Sequence, residues 1–354
     1  MLAELKGFQR RGAWVALLAP EQSEVFKRAK AEGIEVRTLD VRKSRYPVNV
    51  LRLKGWLREN EVQVVNTHSS RDGYLVGFAA LLARVPLLIR SRHIDVEYPN
   101  PRISRHAFTT FADHVLTTSQ KITDHLRATF QLSPERITTL PTGIDLSRFT
   151  PQGTRAKLGD KSAENEGPWV GMVSVLRSWK GHPIFIEAAR LLRERGGKAR
   201  FAVVGTGPQH DNIVRLIEEN GMTGRVVLTG YREDVPEMLR ALDVLVIPST
   251  GHEGIPQIGL QALACETSVV GSDAGGIPEI IRPSETGWIF PSGDVAQLAN
   301  AIEAVMANPE TTRRMAKNGR RLVEQHHGLE HMLDRLEQLY ASHLTLTDSK
   351  DSCG

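Results

Sequence analysis

Cysteine is nearly absent: only Cys265 and Cys353 occur in 354 residues. One thiol in an apolar stretch and one near a polar terminus make neither a disulfide framework nor a zinc site, and they suit a reducing compartment. Long apolar runs are lacking too. No stretch approaches the roughly 20 residues of a membrane-spanning helix. The first residues also lack the basic, apolar, small-residue order of a secretory signal, so a cytoplasmic location is expected. Aromatic residues amount to 6% and are not interleaved with the basic ones, which gives no support to a nucleic-acid partner. No short tandem repeat occurs. The start also lacks the strand and glycine-rich turn that usually open a doubly wound domain; residues 2–11 read instead as a helix feeding a strand at 13. The expectation is that residue 1 lies inside a longer protein.

What remains is an ordinary globular composition, 40% apolar and 24% charged, long enough for two domains with separate cores. The charge is unevenly divided. Residues 1–150 hold 23 Lys+Arg against 15 Asp+Glu, a net +8, whereas residues 151–354 hold 22 against 26, a net −4. A basic first half, with Arg42, Lys43 and Arg45 as one cluster, fits an anionic acceptor or an anionic membrane surface, while charge alone favours the plainer reading of a solvated basic face.

Short apolar runs alternate with amphipathic segments along nearly the whole chain. Strands are expected at 13–20, 35–40, 62–68, 86–93, 114–119 and 137–143, with helices such as 48–59 and 73–82 between them. A second series follows at 170–176, 200–205, 226–230, 244–249, 268–273 and 287–290. Several runs are continuously apolar, as parallel strands covered on both faces are. The reading is α/β, with repeated βα units and parallel sheets. An N-terminal acceptor-side domain is expected over 1–150, a polar linker over 151–168 and a second domain over 169–328. A helix over 329–344 carries Leu333, Leu336, Leu339 and Tyr340 at helical spacing, and a disordered tail over 345–354 is expected after it.

Candidate site residues fall where strands end. The loop Ser249-Thr-Gly-His-Glu-Gly-Ile-Pro256 follows the fourth strand of the second series. Its free N–H groups and the helix start beyond it suit a phosphate. Glu253 would then sit beside that phosphate, which makes sense if it binds sugar hydroxyls; the alternative is a plain helix start with an acidic first turn. Arg177 and Lys180, after the first strand of this series, offer two cations at the same sheet edge that could neutralise a leaving diphosphate without a metal; the alternative, and the commoner case, is an ordinary basic loop. Gly205 and Gly207 follow the second strand, and Gly275 and Gly276 the fifth; each loop reads either as a plain turn or as a place for close ligand approach. In the first half His68, Ser69, Arg92 and His93 stand at strand ends, where a neutral histidine can bond sugar hydroxyls or simply be structural.

Read in order, these blocks resemble the retaining glycosyltransferases of family 4, with the GT-B fold. The resemblance spans about residues 2–344. It is carried by Glu253-Gly-Ile-Pro through Asp273-Ala-Gly-Gly-Ile-Pro-Glu279, with Lys180-Gly181, Val204-Gly-Thr-Gly-Pro208, Thr229-Gly-Tyr231 and Pro141-Thr-Gly-Ile-Asp145 in support. It implies two Rossmann-like doubly wound domains with a cleft between them. The donor is implied to be a nucleoside diphosphate sugar, used as a substrate with no cofactor or metal. Lys180 and a nearby arginine would take its diphosphate, Glu253 its sugar, Gly254, Ile255 and Pro256 its phosphate through backbone, residue 261 its ribose, and Tyr231 and Arg232 its base. His93 would stand near the sugar. The reaction implied is transfer of a hexose-type sugar with retained configuration to a glycan or lipid-linked acceptor, in lipopolysaccharide, capsule or other envelope glycan synthesis at the inner face of the membrane.

The chain departs from that pattern at four places. Gln261 stands where the family has a second glutamate; Val175 stands at its arginine position, with Arg177 two residues later. Thr142 replaces an asparagine, and the first strand with its glycine loop is missing. A nucleotide-sugar binding protein of the same fold with little or no turnover is therefore the alternative.

Overall fold

The computed structural model describes residues 1–159 and 167–351. It divides into two compact units, Met1–Gly143 with the segment from Leu329, and Ile144–Gly328. The division thus falls at 143/144 rather than at 150/151. Part of the expected linker, 160–166, lies outside the described residues. The rest of it is held in the second unit. Phe149 and Leu158 are buried in that unit's core, and the Arg240 guanidinium donates to the Thr154 and Thr150 carbonyls at 2.8 and 3.1 Å.

The first unit runs α1 (Leu2–Arg10), β1 (Ala16–Ala19), α2 (Glu24–Ala31), β2 (Glu35–Thr38), α3 (Tyr46–Glu59), β3 (Val64–Thr67), α4 (Ser70–Ala83), β4 (Leu87–Arg92), α5 (Pro101–Thr109), β5 (His114–Thr117), α6 (Gln120–Phe130) and β6 (Ile137–Thr139). Its strands form two parallel sheets, β1-β2 and β3-β4-β5-β6. The small sheet joins the rest through side chains: Ala16 and Leu18 of β1 pack against the buried cluster of Val50, Trp56, Val65 and Leu75.

The second unit runs β7 (Trp169–Val173), α7 (His182–Glu194), β8 (Arg200–Val204), α8 (His210–Glu219), β9 (Val226–Gly230), α9 (Val235–Ala241), β10 (Val244–Ile247), α10 (Gln257–Ala264), β11 (Ser268–Ser272), β12 (Trp288–Phe290), α11 (Val295–Ala307) and α12 (Pro309–His326). Its six parallel strands lie in the order β9-β8-β7-β10-β11-β12. Both faces are covered, and alternate residues serve opposite layers. Val244 and Val246 pack with Phe185 and Ile186, while Leu245 and Ile247 pack with Leu260 and Leu263. Sequence order reverses between β7 and β10, the switch point where loops at the strands' carboxyl ends diverge and leave a crevice.

The last helix, α13 (Leu329–Asp351), belongs to the first unit. It continues past residue 344, where a disordered tail was expected, because no glycine or proline interrupts 329–351. Residues 352–354 lie outside the description. Leu333 and Leu336 pack on Leu87, Ile89 and Leu116 of the sheet. Helix α1 lies against α13 so closely that a Cβ on Gly7 would stand 2.3 Å from the Leu333 side chain. Arg11 reaches three carboxylates of α13, Glu330, Asp334 and Glu337, at 2.7–2.8 Å.

Leu333 is fully buried between α1 and the sheet, so Leu333→Ala is expected to destabilise the first unit by about 2–5 kcal/mol. A lowered denaturant midpoint for that unit's transition measures it.

Candidate functional site

The switch point of the second unit gathers four loops. Lys180 ends a single helical turn, Ser178–Lys180, between β7 and α7. The turn is tied to the next loop, since Thr250 N donates to the Trp179 carbonyl at 2.8 Å. Gly181 has φ +78°, and a Cβ there would come within 1.8 Å of the Pro248 carbonyl. Only glycine combines that conformation with that approach. Lys180 is thereby delivered to the loop after β10.

There its Nζ donates to Glu253 Oε1 at 2.5 Å, and Ser249 Oγ donates to the same oxygen at 2.6 Å. Glu253 is 6% exposed, and the Lys180 side chain retains more solvent contact, 23%. Ser249 is fixed in turn, its carbonyl accepting from Ser272 Oγ at 2.6 Å. The loop after β11 closes over the pair. Gly276 N donates to the Glu253 carbonyl at 3.3 Å, and a Cβ on Gly275, with φ +58°, would stand 2.3 Å from that same oxygen. The loop after β8 completes the set, with Gly205 and Gly207 against the backbone of Ser174 and Leu176. Helix α10 begins just beyond Pro256 without a side-chain cap, and Gly254, Ile255 and Pro256 are buried beneath it.

An ammonium has three donors and a carboxylate two oxygens. With one of each engaged in the pair, Lys180 can still offer N–H groups to an anion, and Glu253 can still offer Oε2 to a hydroxyl. The arrangement suits a ligand that carries negative charge and hydroxyl groups side by side.

The other expected donor residues divide. Arg177 is exposed, and its guanidinium lies 5.1 Å over the Trp179 ring, which itself packs edge-on to His252. It therefore stands on an aromatic stack beside the lysine rather than in the Lys180–Glu253 pair. Arg232 is held by Asp234 and by the Lys157 carbonyl at 3.0 Å, so its guanidinium is committed to the fold of its own loop. Tyr231 is 54% exposed. Gln261 sits half-buried on α10.

In the first unit His68 Nδ1 and His93 Nε2 are 2.8 Å apart, with rings 10° from parallel. Desolvation holds His68 well below the usual histidine range; His93, which keeps an exposed edge, is lowered by the same cause and by the positive charges of Arg92 and Arg90. Neutral rings let one N–H donate to its neighbour's lone pair. Ser69 serves as the α4 cap: its Oγ accepts from Asp72 N at 3.4 Å while its own N–H donates to Asp72 Oδ1 at 2.7 Å. Arg92 is buried with its guanidinium 5.6 Å over Tyr98.

Two residues escaped the sequence reading. Arg90 is fully buried and donates to the Ser69 carbonyl, Thr67 Oγ1 and Asp72, which holds the loop bearing His68. Its signal was a charge inside an apolar strand. His182 is 1% exposed; its Nε2 lies 3.3 Å from Ser174 Oγ, so it braces the strand end that leads into the loop of Lys180. Burial pushes it down to about 4.

Two family models match the chain: Glycosyltransferase Family 4 over residues 2–148 and Glycosyl transferases group 1 over residues 155–322. The alpha-D-kanosaminyltransferase of Streptomyces kanamyceticus is 28% identical over 82% of this chain and 80% of its own length. An Escherichia coli UDP-Gal:alpha-D-GlcNAc-diphosphoundecaprenol alpha-1,3-galactosyltransferase is 25% identical over 80% of this chain and 76% of its own. Among solved structures, Anabaena HepE in complex with UDP-glucose has a TM-score of 0.81 at 20% identity, covering 96% of this chain and 94% of that one. The chain thus has the GT-B fold, its two units being the two Rossmann-like domains.

The depressed His182 makes stability depend on pH. Between its ordinary 6.5 and about 4 the unfolded chain binds a proton that the folded one excludes, so stability falls as pH drops through that window. The share from His182 is roughly 3 kcal/mol. His182→Leu is expected to flatten the acid slope, read from urea midpoints at neutral and mildly acid pH.

Proposed function

We propose, for a chain that belongs to the glycosyltransferases through a family 4 domain and a group 1 domain, that its second unit holds a nucleoside diphosphate sugar at the Lys180–Glu253 pair. The chain then transfers the sugar, of hexose type, to a glycan or lipid-linked acceptor. The observation that carries the reading is the convergence of an ammonium, a buried carboxylate and glycine-lined backbone from four strand ends. Breaking the glycosidic bond leaves charge on the donor diphosphate. A cation and N–H groups already in position stabilise that charge without reorganising.

In this reading Lys180 binds the diphosphate, Arg177 adds its charge from the Trp179 stack, and Glu253 directs Lys180 and accepts from a sugar hydroxyl. Gln261 meets the ribose as a neutral hydrogen-bonding group. Transfer proceeds with retained configuration and without a metal, the diphosphate oxygen taking the acceptor proton. The family resemblance assigns His93 to the sugar, where a neutral ring would accept or donate one hydrogen bond. The name of the E. coli relative, which acts on a diphosphoundecaprenol-linked sugar, supports an envelope-glycan acceptor presented at a membrane face. A second reading, nucleotide-sugar binding with little turnover, draws on the missing charge at Gln261.

Lys180→Ala and Glu253→Ala are each expected to lower kcat/KM about 10²- to 10³-fold with unchanged circular dichroism, after donor choice from a panel of nucleotide sugars. Turnover retained in both would remove the site assignment. Calorimetric binding of nucleoside diphosphates without transfer or donor hydrolysis would favour the second reading. The anomeric configuration of the product, read by NMR, tests retention.

A further inference from the structure

Helix α12 of the second unit carries a basic stripe that the donor site does not use. Arg313, Arg314, Lys317 and Arg321 follow each other at spacings that share one helix face, and they line a shallow concavity of about 370 Å³ with Glu310 and Asn318. All four cations are exposed. None of them forms an ion pair among the described residues, whereas Arg320 on the flank is tied to Glu324 at 2.6 Å. The opposite face of the helix is fixed in the core: Met315, Ala316, Leu322 and Val323 are buried, and Gly319 abuts Leu263. The stripe is therefore a rigid row of charge, roughly 12 Å long at the helical rise.

It is also local. The half of the chain that contains it has a net −4, so the four like charges stand against the overall balance. No aromatic residue is interleaved on this face, which removes the stacking expected of a nucleic-acid surface. The first-half cluster that looked basic in sequence is partly neutralised: Arg42 pairs with Asp40 at 2.6 Å, and Arg45 lies 3.7 Å from the same carboxylate.

We propose that this face of α12 docks on the anionic headgroups of a phospholipid bilayer. Charge complementarity selects the occupant, since a flat negative surface can meet all four cations at once and a row of them raises the local affinity for it. The proposal rests on the reading that the acceptor is presented at a membrane, and it supplies the contact that keeps the enzyme there.

The test is co-sedimentation of the full chain with phosphatidylcholine vesicles, with and without phosphatidylglycerol. A variant combining Arg313→Gln, Arg314→Gln, Lys317→Gln and Arg321→Gln is compared; glutamine retains helix propensity. The expected result is binding to phosphatidylglycerol vesicles that weakens with salt and falls at least about tenfold in the variant, with transfer to a soluble acceptor unchanged. Equal binding by the variant overturns the proposal. So does binding of heparin through the stripe with no binding to phosphatidylglycerol vesicles, which would make it a site for a soluble polyanion. Stripe-dependent vesicle binding without transfer to any acceptor would sink the enzymatic reading and leave the docking surface standing.

Discussion

A lysine and a glutamate that stand 73 positions apart in the chain share one hydrogen bond at the switch point of the second unit, and the surrounding loops are built around it. A carboxylate as buried as that of Glu253 is costly without a partner. Lys180 supplies the charge and Ser249 the second donor. The pair fixes where the loops after β7 and β10 meet, and the loop after β11 folds over it only because Gly275 has no side chain to collide with the Glu253 carbonyl. The same bond leaves both groups half used. A site that is neutral when empty and still has free donors and acceptors can take an anionic, hydroxylated ligand with little rearrangement.

Much of this was legible in the residues. The continuously apolar runs matched parallel strands buried on both faces; eleven of the twelve strands lie within their expected segments, and β7 begins one residue before its own, at Trp169. The motif loops were found because glycines and charges recur directly after those runs. What could not be read was which groups meet. That Ser249 and Lys180 share one carboxylate oxygen depends on the lateral order of β7 and β10, which local sequence does not state. Arg177 looked equivalent to Lys180 in spacing, yet a nearby tryptophan face captured its guanidinium. His182 has no evident partner in the sequence, and its role appears only when Ser174 is seen across from it.

The first unit was the harder half. Its two sheets are joined through side-chain packing around Trp56 and Val65, and hydrophobic pattern does not separate packed strands from hydrogen-bonded ones. Arg90 shows a related limit. A buried arginine in a strand looks like an error in the pattern until Asp72, Thr67 and the Ser69 carbonyl are found around it. The charge then anchors the turn that presents His68 to His93.

The return of α13 to the first unit has a consequence for biosynthesis. One face of the β3–β6 sheet is covered by residues of α13, which are made only after the whole of the second unit. Domains generally fold in the order of their synthesis, but here the later unit can finish first. Until α13 has been made, Leu87, Ile89 and Leu116 lack their cover, so the nascent chain passes through a stage in which the first unit exposes an apolar sheet face.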